Sequence, residues 1–317
     1  MNGRAHGPVL VTGAAGLAGS HLMERLSVAP DVEGWARSAP PAEIAAIGRW
    51  RRVDLLDRDA VRRAVRELRP ATIYHCAGMP HVAESWTDTA QPLASNVLAT
   101  HHLFDALRRA GVSCRVLVPG SATVYAPASE PMTEDHPIGP ASPYALSKLA
   151  QEQLALRAGS EDGVDVVLTR SFNHTGPRQA PAFVAPSMAR QIALIEAGRL
   201  EPVMRVGNLD AQRDLTDVRD VVRAYVALMD AAAPSVLYNV ASGVGRTMRS
   251  VLDTLVSRAR VPVRVETDPA RLRANDLPIV VGDATRLRQA TGWQPSISFE
   301  RMLDDLLEYW RGKVGGP

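Results

Sequence analysis

The chain has 317 residues, of which 46% are apolar and 22% charged, with 36 basic and 34 acidic side chains. This much apolar surface offsets the conformational entropy lost on folding, so the composition excludes a disordered chain and indicates a globular protein. The near balance of charge and the lack of a long basic run argue against a nucleic-acid partner. No segment approaches the roughly 20 apolar residues that span a membrane, so we expect no membrane partner either.

Cys76 and Cys114 are the only cysteines in the sequence. Two cysteines are too few for a disulfide framework, and they lack the paired spacing of a zinc site. We therefore expect no metal, and we expect the protein to work in a reducing cytoplasm.

Short β-rich runs alternate with helical patterns in the first half of the chain. The predicted strands there are 8–12, 32–36, 71–76, 114–118 and 164–169, and the predicted helices are 16–26, one after Asp57, 96–110 and one from Pro143. Beyond Arg170 prolines become frequent, and the predicted elements are helices at 185–197, 218–232 and 248–258 and a strand at 236–240. The alternation predicts an α/β protein with a doubly wound parallel sheet.

Three glycines lie between the first strand and the first helix. Gly13, Gly16 and Gly19 occur in the string TGAAGLAG. One glycine allows the tight turn, another lets a pyrophosphate approach the backbone, and the third lets the helix pack closely on the strand. The helix start adds free N–H groups that attract an anion. The pattern predicts a dinucleotide-binding turn and therefore a Rossmann fold.

The end of the second strand bears on the choice of dinucleotide. It has the sequence GWARS, in which Arg37 is placed to pair with a 2′-phosphate, so NADP(H) is favoured. Glu33 lies close by and leaves NAD(H) possible, because a carboxylate near this strand end can bind the 2′-hydroxyl. Asp54, in the string VDLLD after the strand that follows, either accepts a hydrogen bond from the adenine amino group or caps a helix.

Tyr144 and Lys148 are four residues apart in SPYALSK, so both project from one face of a helix. The lysine ammonium is expected to favour the phenolate and to lower the pKa of a phenol from its usual value of about 10. Ser121 follows the strand CRVLV, where its hydroxyl can donate to a carbonyl or alkoxide oxygen. Together the three residues predict a proton-transfer site beside the dinucleotide.

The glycine turn near the N-terminus and the change in pattern after residue 170 predict two regions. Residues 1–170 form an NAD(P)-binding Rossmann domain, and residues 171–317 form a smaller, mainly substrate-binding region. Some segments of the second region, such as 214–243, are expected to return to the Rossmann domain. No low-complexity linker separates the two, so we expect a cleft between them, where small-molecule sites commonly lie.

Motifs along nearly the whole chain carry a resemblance to a known family. They are TGAAGLAG, YHCAGMPHVAESW, GSATVY, SPYALSK, RSFNHTGP, RDLTDVRDVVRAY, YNVASG and GDATRLRQATGWQP. The chain resembles the extended short-chain dehydrogenase/reductase family. It is most similar to the nucleotide-sugar branch that holds the GDP-mannose 4,6-dehydratases and the GDP-4-keto-6-deoxy-mannose reductases, and its second half is more similar to the reductases.

The resemblance implies a role for each matched residue. The implied catalytic residues are Ser121, Tyr144 and Lys148. The implied cofactor contacts are Gly13, Gly16, Leu17, Gly19, Arg37, Asp54, Leu55, Ala77, Gly78, Tyr144, Lys148 and Phe172. The implied substrate contacts are Thr123, Asn173, Arg213, Arg273 and Asp276. The two arginines of this last set match a diphosphate clamp and the aspartate matches a ribose contact, although a surface salt network is the alternative for Arg213 and Asp276.

One difference between this chain and the dehydratases of the branch favours a reductase. In the dehydratases a glutamate two residues after the catalytic serine or threonine removes a carbon-bound proton, and Thr123 stands there in this chain. A hydroxyl is not a competent base for a carbon acid near neutral pH. The expected activity is NADPH-dependent reduction of the C4 ketone of a nucleotide-diphosphate 4-keto-6-deoxyhexose, linked to GDP or dTDP.

Three alternatives stay open. An NAD-dependent nucleotide-sugar 4-epimerase uses the same three catalytic residues, and a 4,6-dehydratase or a non-catalytic dinucleotide sensor is less favoured. Ala274 and Asn275 replace a proline and a threonine of the branch, so the nucleotide need not be GDP. By family analogy we expect a homodimer formed through the helices at 96–110 and 144–156.

Overall fold

The computed structural model describes residues 7–29, 31–231, 236–271 and 277–315. The strands are β1 (Val9–Thr12), β2 (Val32–Ala36), β3 (Arg49–Arg52), β4 (Thr72–His75), β5 (Arg115–Ser121), β6 (Asp165–Ser171), β7 (Asn173–Thr175), β8 (Val203–Val206), β9 (Gln212–Asp217), β10 (Leu237–Val240), β11 (Gly245–Thr247), β12 (Arg264–Thr267) and β13 (Ile279–Val280). The α-helices are α1 (Leu17–Arg25), α2 (Arg58–Leu68), α3 (Glu84–Thr87), α4 (Ala90–Pro92), α5 (Ala99–Arg109), α6 (Pro143–Glu161), α7 (Val184–Glu196), α8 (Val218–Asp230), α9 (Met248–Ser257), α10 (Thr285–Thr291) and α11 (Phe299–Gly315).

The main sheet has seven parallel strands in the order β10-β6-β5-β4-β1-β2-β3. This arrangement confirms the predicted doubly wound α/β fold. The strand order reverses between β1 and β4, and in such sheets ligands bind outside the carboxyl ends of the strands at this switch point. The glycine turn and the catalytic residues follow strands that end at this edge.

Helices cover both faces of the main sheet, which is why its strands are apolar on both sides. Val11 of β1 packs with Leu22 of α1 and Tyr225 of α8 in one buried cluster. Its neighbour Leu10 points to the opposite face and belongs to the cluster with Val61 of α2. The rigid layers hold the loops at the carboxyl edge in fixed positions.

Local signals set several helix starts. The Asp57 carboxylate accepts hydrogen bonds from the N–H groups of Asp59 and Ala60, which caps α2. The hydroxyl of Ser142 accepts from the N–H of Ala145, and Pro143 occupies the first turn of α6. The first residues of the predicted helix at 96–110 belong to a π-helical segment, Leu93–Leu98, which runs directly into α5.

The second half of the chain divides between two places. β10 pairs in parallel with β6 at the edge of the main sheet, and α8 packs on α1. A smaller region holds the sheet β11-β9-β13, with β7 also paired to β9, and the separate pair β12-β8. Helices α7, α9 and α11 share a third apolar cluster. The division at residue 170 stays a prediction, while the return of the chain to the main sheet after β9 is a feature of the structure.

No helix in the described part of the chain is both long enough and apolar enough to cross a lipid bilayer. Within the same residues, no group of three or more histidine, cysteine or acidic side chains is arranged to hold a metal ion.

Candidate active site

The turn after β1 and the first turn of α1 have no room for a side chain at Gly13 or Gly19. Gly13 has a φ of +64°, and a Cβ there would lie 2.6 Å from the backbone nitrogen of Ala77. A Cβ on Gly19 would lie 2.2 Å from the carbonyl oxygen of Gly13. Gly16 stands at the start of α1, where no side chain caps the helix. Leu17 begins the helix, so its uncapped N–H groups and the bare backbone form a cradle that fits a pyrophosphate.

Glu33 and Arg37, the two side chains considered for the 2′ position of the ribose, differ in burial. Glu33 is the second residue of β2 and is buried, where it accepts a hydrogen bond from the indole N–H of Trp35 at 2.7 Å. Glu33 therefore lies within the sheet and not at the carboxyl end of β2, so it is not placed to contact the ribose. Arg37 directly follows β2 and is exposed at the carboxyl edge.

A second arginine stands next to Arg37 in the sheet. Arg52 is the exposed last residue of β3, and it is in register with Ala36, the residue before Arg37. Arg37 and Arg52 therefore both lie at the carboxyl end of neighbouring strands, about 4.8 Å apart between strands. Arg52 was not among the predicted cofactor contacts, although the run RWRR at 49–52 was a possible signal.

The loop after β3 holds two further residues expected to contact the cofactor. Asp54 is exposed, and its carboxylate accepts from the N–H of Leu56 at 3.0 Å. Asp57 caps α2 instead, so the helix-cap interpretation of Asp54 is wrong. Leu55 is buried, and its carbonyl oxygen lies 2.8 Å from the imidazole Nδ1 of His102.

The residues after β4 form the opposite wall of the glycine turn. Ala77 is half-buried, and its N–H donates to the hydroxyl of Thr12 at 3.3 Å. Gly78 is exposed next to it. Both therefore lie across from Gly13, as a shared cofactor contact requires.

The three proposed catalytic side chains come together at the carboxyl end of β5. Ser121 is the last residue of that strand, and its Oγ lies 2.9 Å from the Oγ1 of Thr123. Tyr144 lies in the first turn of α6, with its phenol next to the hydroxyl of Ser121. Lys148 is one turn further along, and its ammonium donates to the carbonyl oxygen of Pro119 at 2.6 Å. The site is thus a row of hydroxyl groups with a buried ammonium behind it.

The titration behaviour differs from the sequence expectation. Burial raises the pKa of Tyr144 above its usual value, and the hydrogen bond with Ser121 only partly offsets this. The ammonium of Lys148 contacts Pro119 and Gln151, so the expected lowering of the tyrosine pKa by the lysine is wrong for this structure. Burial lowers the pKa of Lys148 to about 8. At neutral pH the tyrosine is a proton donor and the lysine is charged.

The predicted substrate contacts other than Thr123 come from the second half of the chain, after the predicted cofactor contact Phe172. Phe172 is buried, with its ring centroid 6.3 Å from that of Tyr125. Asn173 opens β7 and is exposed. Arg213 lies on the adjacent β9 and donates to the carbonyl oxygen of Leu277 at 2.7 Å. The remaining two residues of this set, Arg273 and Asp276, lie outside the described residues.

A buried polar group near the cofactor loop was missed by the sequence analysis. Asn96 lies in the π-helical segment, where its Oδ1 accepts from the N–H of Met79 at 2.8 Å. Its Nδ2 donates to the hydroxyl of Ser147 on α6 at 2.9 Å. Asn96 therefore ties the loop after β4 to the catalytic helix. No local spacing marks it, because its partners are distant in sequence.

A parallel sheet, a glycine turn and a Ser–Tyr–Lys group at its carboxyl edge define the class of NAD(P)-dependent short-chain dehydrogenases/reductases. Within this class, residues 10–306 match the family model for GDP-mannose 4,6 dehydratase. The chain therefore belongs to that family, whose members are extended short-chain dehydrogenases/reductases.

Three known proteins illustrate the range of the similarity. The GDP-6-deoxy-D-mannose reductase of Pseudomonas aeruginosa is 36% identical over 309 residues, which cover 96% of this chain and 98% of the relative. A UDP-glucose 4-epimerase of Mycolicibacterium smegmatis is 32% identical, covering 96% and 98%. The solved structure of RMD from Pseudomonas aeruginosa in complex with NADPH is 35% identical with a TM-score of 0.85, covering 97% of this chain and 99% of that chain.

Proposed function

We propose that this protein is an NADPH-dependent reductase of the C4 ketone of a nucleotide-diphosphate 4-keto-6-deoxyhexose, linked to GDP or dTDP. One observation carries the proposal. Ser121, Thr123 and Tyr144 form a row of hydroxyl groups in which the tyrosine is protonated at neutral pH. Such a row can donate protons and hydrogen bonds to a ketone oxygen, and it lacks the carboxylate that dehydration needs at residue 123. The similarity to a GDP-6-deoxy-D-mannose reductase supports the same activity.

The bare turn of Gly13, Gly16 and Gly19 fits the pyrophosphate of NADP(H), and Arg37 and Arg52 fit its 2′-phosphate. Asp54, Leu55, Ala77, Gly78 and Phe172 complete the proposed contacts. When bound, the nicotinamide supplies the hydride that the ketone carbon receives. A 2′-phosphate between two exposed guanidinium groups gains charge-assisted hydrogen bonds, which is why these residues favour NADP(H).

The chain's own residues handle the proton. Ser121 donates a hydrogen bond to the C4 oxygen and holds it beside the phenol of Tyr144. As that oxygen becomes an alkoxide, Tyr144 transfers its phenolic proton to it, which leaves a hydroxyl on the sugar and a phenolate on the enzyme. Solvent then returns a proton to the phenolate, while the charged Lys148 would hold a ribose hydroxyl of the bound cofactor. Holding both reactants in place accounts for much of the rate in such a site.

Asn173 and Arg213 belong to the proposed substrate side. They lie on the paired strands β7 and β9, where Asn173 is in register with Leu215, two residues after Arg213. An exposed amide and a half-buried guanidinium suit the hydroxyl groups and the diphosphate of a nucleotide sugar. Arg273 and Asp276 are proposed as further contacts from the sequence alone.

A 4-epimerase is the second candidate, because a UDP-glucose 4-epimerase is 32% identical to this chain. An epimerase returns the hydride to its substrate and consumes no cofactor. The test offers purified protein NADPH or NADH with GDP- and dTDP-4-keto-6-deoxyglycoses, follows nicotinamide absorbance, and identifies the sugar by NMR. Stoichiometric NADPH oxidation with a 6-deoxyhexose product supports the reductase. Conversion of a UDP-hexose to its C4 epimer without cofactor consumption would replace it with the epimerase.

Exposed apolar side chains on adjoining helices support a homodimer. Leu146 of α6 is 54% exposed and Trp86 of α3 is 56% exposed, while Leu93 and Leu98 of the π-helical segment are 47% and 45% exposed. These elements pack against each other, so the residues share one side of the molecule. A patch of this kind is typical of a protein interface. Sedimentation should give a dimer, and Leu146→Glu should give a monomer that still binds NADPH.

The two thiols support the proposed cytoplasmic location. Cys76 and Cys114 are both free. Burial raises the pKa of each thiol to about 12, so neither is a reactive thiolate. Free, buried thiols suit a reducing compartment. Cell fractionation that finds the protein outside the cytoplasm would contradict this proposal.

A further inference from the structure

A chain of buried polar side chains continues inward from the catalytic lysine. The ammonium of Lys148 donates to the side-chain carbonyl of Gln151, one turn further along α6. The Nε2 of Gln151 donates to the hydroxyl of Thr100 on α5 at 2.8 Å. The Nε2 of His75 on β4 lies 2.8 Å from the same hydroxyl. Gln151, Thr100 and His75 are each at most 1% exposed, so water does not compete for these contacts.

The directions of these hydrogen bonds follow from the hydroxyl of Thr100. It donates to the carbonyl oxygen of Asn96 at 2.6 Å, so it can only accept from Gln151 and His75. Burial, with the nearby Lys148, lowers the pKa of His75 to about 3, and the ring is therefore neutral. Its Nε2 carries the hydrogen, and its Nδ1 accepts from Thr12 at 2.8 Å. Gln151 must then turn its NH₂ to Thr100 and its oxygen to the lysine.

We propose that Gln151, oriented by Thr100 and His75, is a positioning residue that holds the ammonium of Lys148 in place and favours its charged form. Two of the three ammonium protons are committed to Gln151 and Pro119. The third remains for a bound ligand. The mechanistic use of this arrangement rests on the proposed function, but the arrangement itself can be tested without any sugar substrate.

The other titratable groups around the lysine are Cys76, Tyr144, Glu152 and His75. Burial raises the pKa of Cys76 to about 12 and raises that of Tyr144, which keeps both neutral. Glu152, on the same helix as Lys148, is held by the guanidinium of Arg170 at 2.6 Å. With His75 also neutral, a titration observed at Lys148 between about pH 6 and 10 belongs to the lysine itself.

The sequence makes a direct measurement possible. Lys148 and Lys313 are the only lysines in the chain. Protein labelled with ¹³C at the lysine ε position therefore gives two NMR signals. Lys313 is 47% exposed and pairs with Glu43, so it serves as an internal reference. A pH titration then reports the pKa of Lys148 in the intact protein, with or without NADPH.

The variants are chosen to move this pKa in opposite directions. Gln151→Glu places a carboxylate against the ammonium and should raise the pKa of Lys148 by about one unit or more. Gln151→Met removes the acceptor and should lower it by about one unit, a tenfold change in the charged fraction above the pKa. Thr100→Val should shift it in the same direction as Gln151→Met. Gln153→Glu, an exposed position on the same helix, is the matched control and should leave it within about 0.2 units.

Each outcome decides the proposal. Opposite shifts in the two Gln151 variants, with the Lys313 signal unchanged, support it. Shifts in the same direction, or none in folded protein, overturn it. If a Gln151 variant does not fold, Thr100→Val alone decides, because an unmoved Lys148 pKa would overturn the proposal. Wild-type protein that reduces no sugar would refute the proposed function while leaving this titration interpretable.

Discussion

Two buried histidines should make the protein unstable in mild acid. The Nδ1 of His21 accepts from the guanidinium of Arg178 at 2.7 Å, and its Nε2 lies 3.0 Å from the carbonyl oxygen of Pro177. The ring is therefore neutral, and a second proton would face a cation. Burial, and then Arg178, lowers the pKa of His21 from 6.5 to about 4. Burial lowers the pKa of His75 to about 3.

The loss of stability follows from linkage. Both histidines bind protons more weakly in the folded state, so acid favours unfolding, and stability is lost as the pH falls below the unfolded pKa of 6.5. At pH 5.0 each histidine lies about 1.5 units below that value and costs about 2 kcal/mol. The two together cost about 4 kcal/mol, a large part of the roughly 5–15 kcal/mol that stabilises most proteins. Burial also lowers the pKa of His174, which adds to this loss. Carboxylates with lowered pKa values act mainly below pH 4 and hardly contribute in this window.

The assay is urea unfolding at pH 7.5 and 5.0, with NADP(H) absent. Wild type should lose about 4 kcal/mol of unfolding free energy between the two values. His21→Gln keeps a donor for Pro177 and an acceptor for Arg178 but does not titrate, so it should lose only about 2 kcal/mol. If the unfolding free energy of His21→Gln falls as much as that of wild type, His21 is not neutral and buried as described. If wild type loses no unfolding free energy at pH 5.0, neither ring is.

Three further predictions concern the site. Tyr144→Phe should lower kcat by about 10²–10⁴-fold while NADPH binding, measured by fluorescence, stays within about twofold; a kcat close to wild type would remove the tyrosine as proton donor. Arg37→Ser and Arg52→Ser should each weaken binding of 2′,5′-ADP by roughly tenfold in calorimetry and leave 5′-AMP unchanged. Arg49→Ser, in the same strand but paired with Asp31, is their control, and an equal loss there would argue against a specific phosphate contact. Gly19→Ala should abolish cofactor binding, since its Cβ would lie 2.2 Å from a backbone oxygen, and retained binding would contradict the close packing of α1 on the turn.

Features that depend on neighbouring residues were predictable. The glycine turn, the cap at Asp57 and the spacing of Tyr144 and Lys148 each involve a few consecutive residues, and the structure has the expected local geometry at each. The alternation of apolar runs predicted the main parallel sheet for the same reason. The short strands β7, β8, β9, β11, β12 and β13 were not predicted, because all but β13 contain polar or charged residues and none forms a long apolar run.

Features that depend on burial and on the extent of a strand could be determined only from the tertiary structure. Glu33 and Arg37 are four residues apart in sequence, yet only the extent of β2 places one inside the sheet and the other at its edge. The direction of the Tyr144 pKa was predicted wrongly because burial outweighs a charge that points elsewhere.

The sequence by itself determined the fold class, the dinucleotide turn and the identity of the catalytic hydroxyl and amino groups, since these follow from short-range patterns and side-chain chemistry. Only the tertiary structure decided how those groups titrate and what holds them. Gln151, Thr100 and His75 lie on two helices and a strand that meet behind Lys148, and their hydrogen bonds join residues up to 51 positions apart. Contacts of that kind exist only once the sheet and its helical layers have packed together.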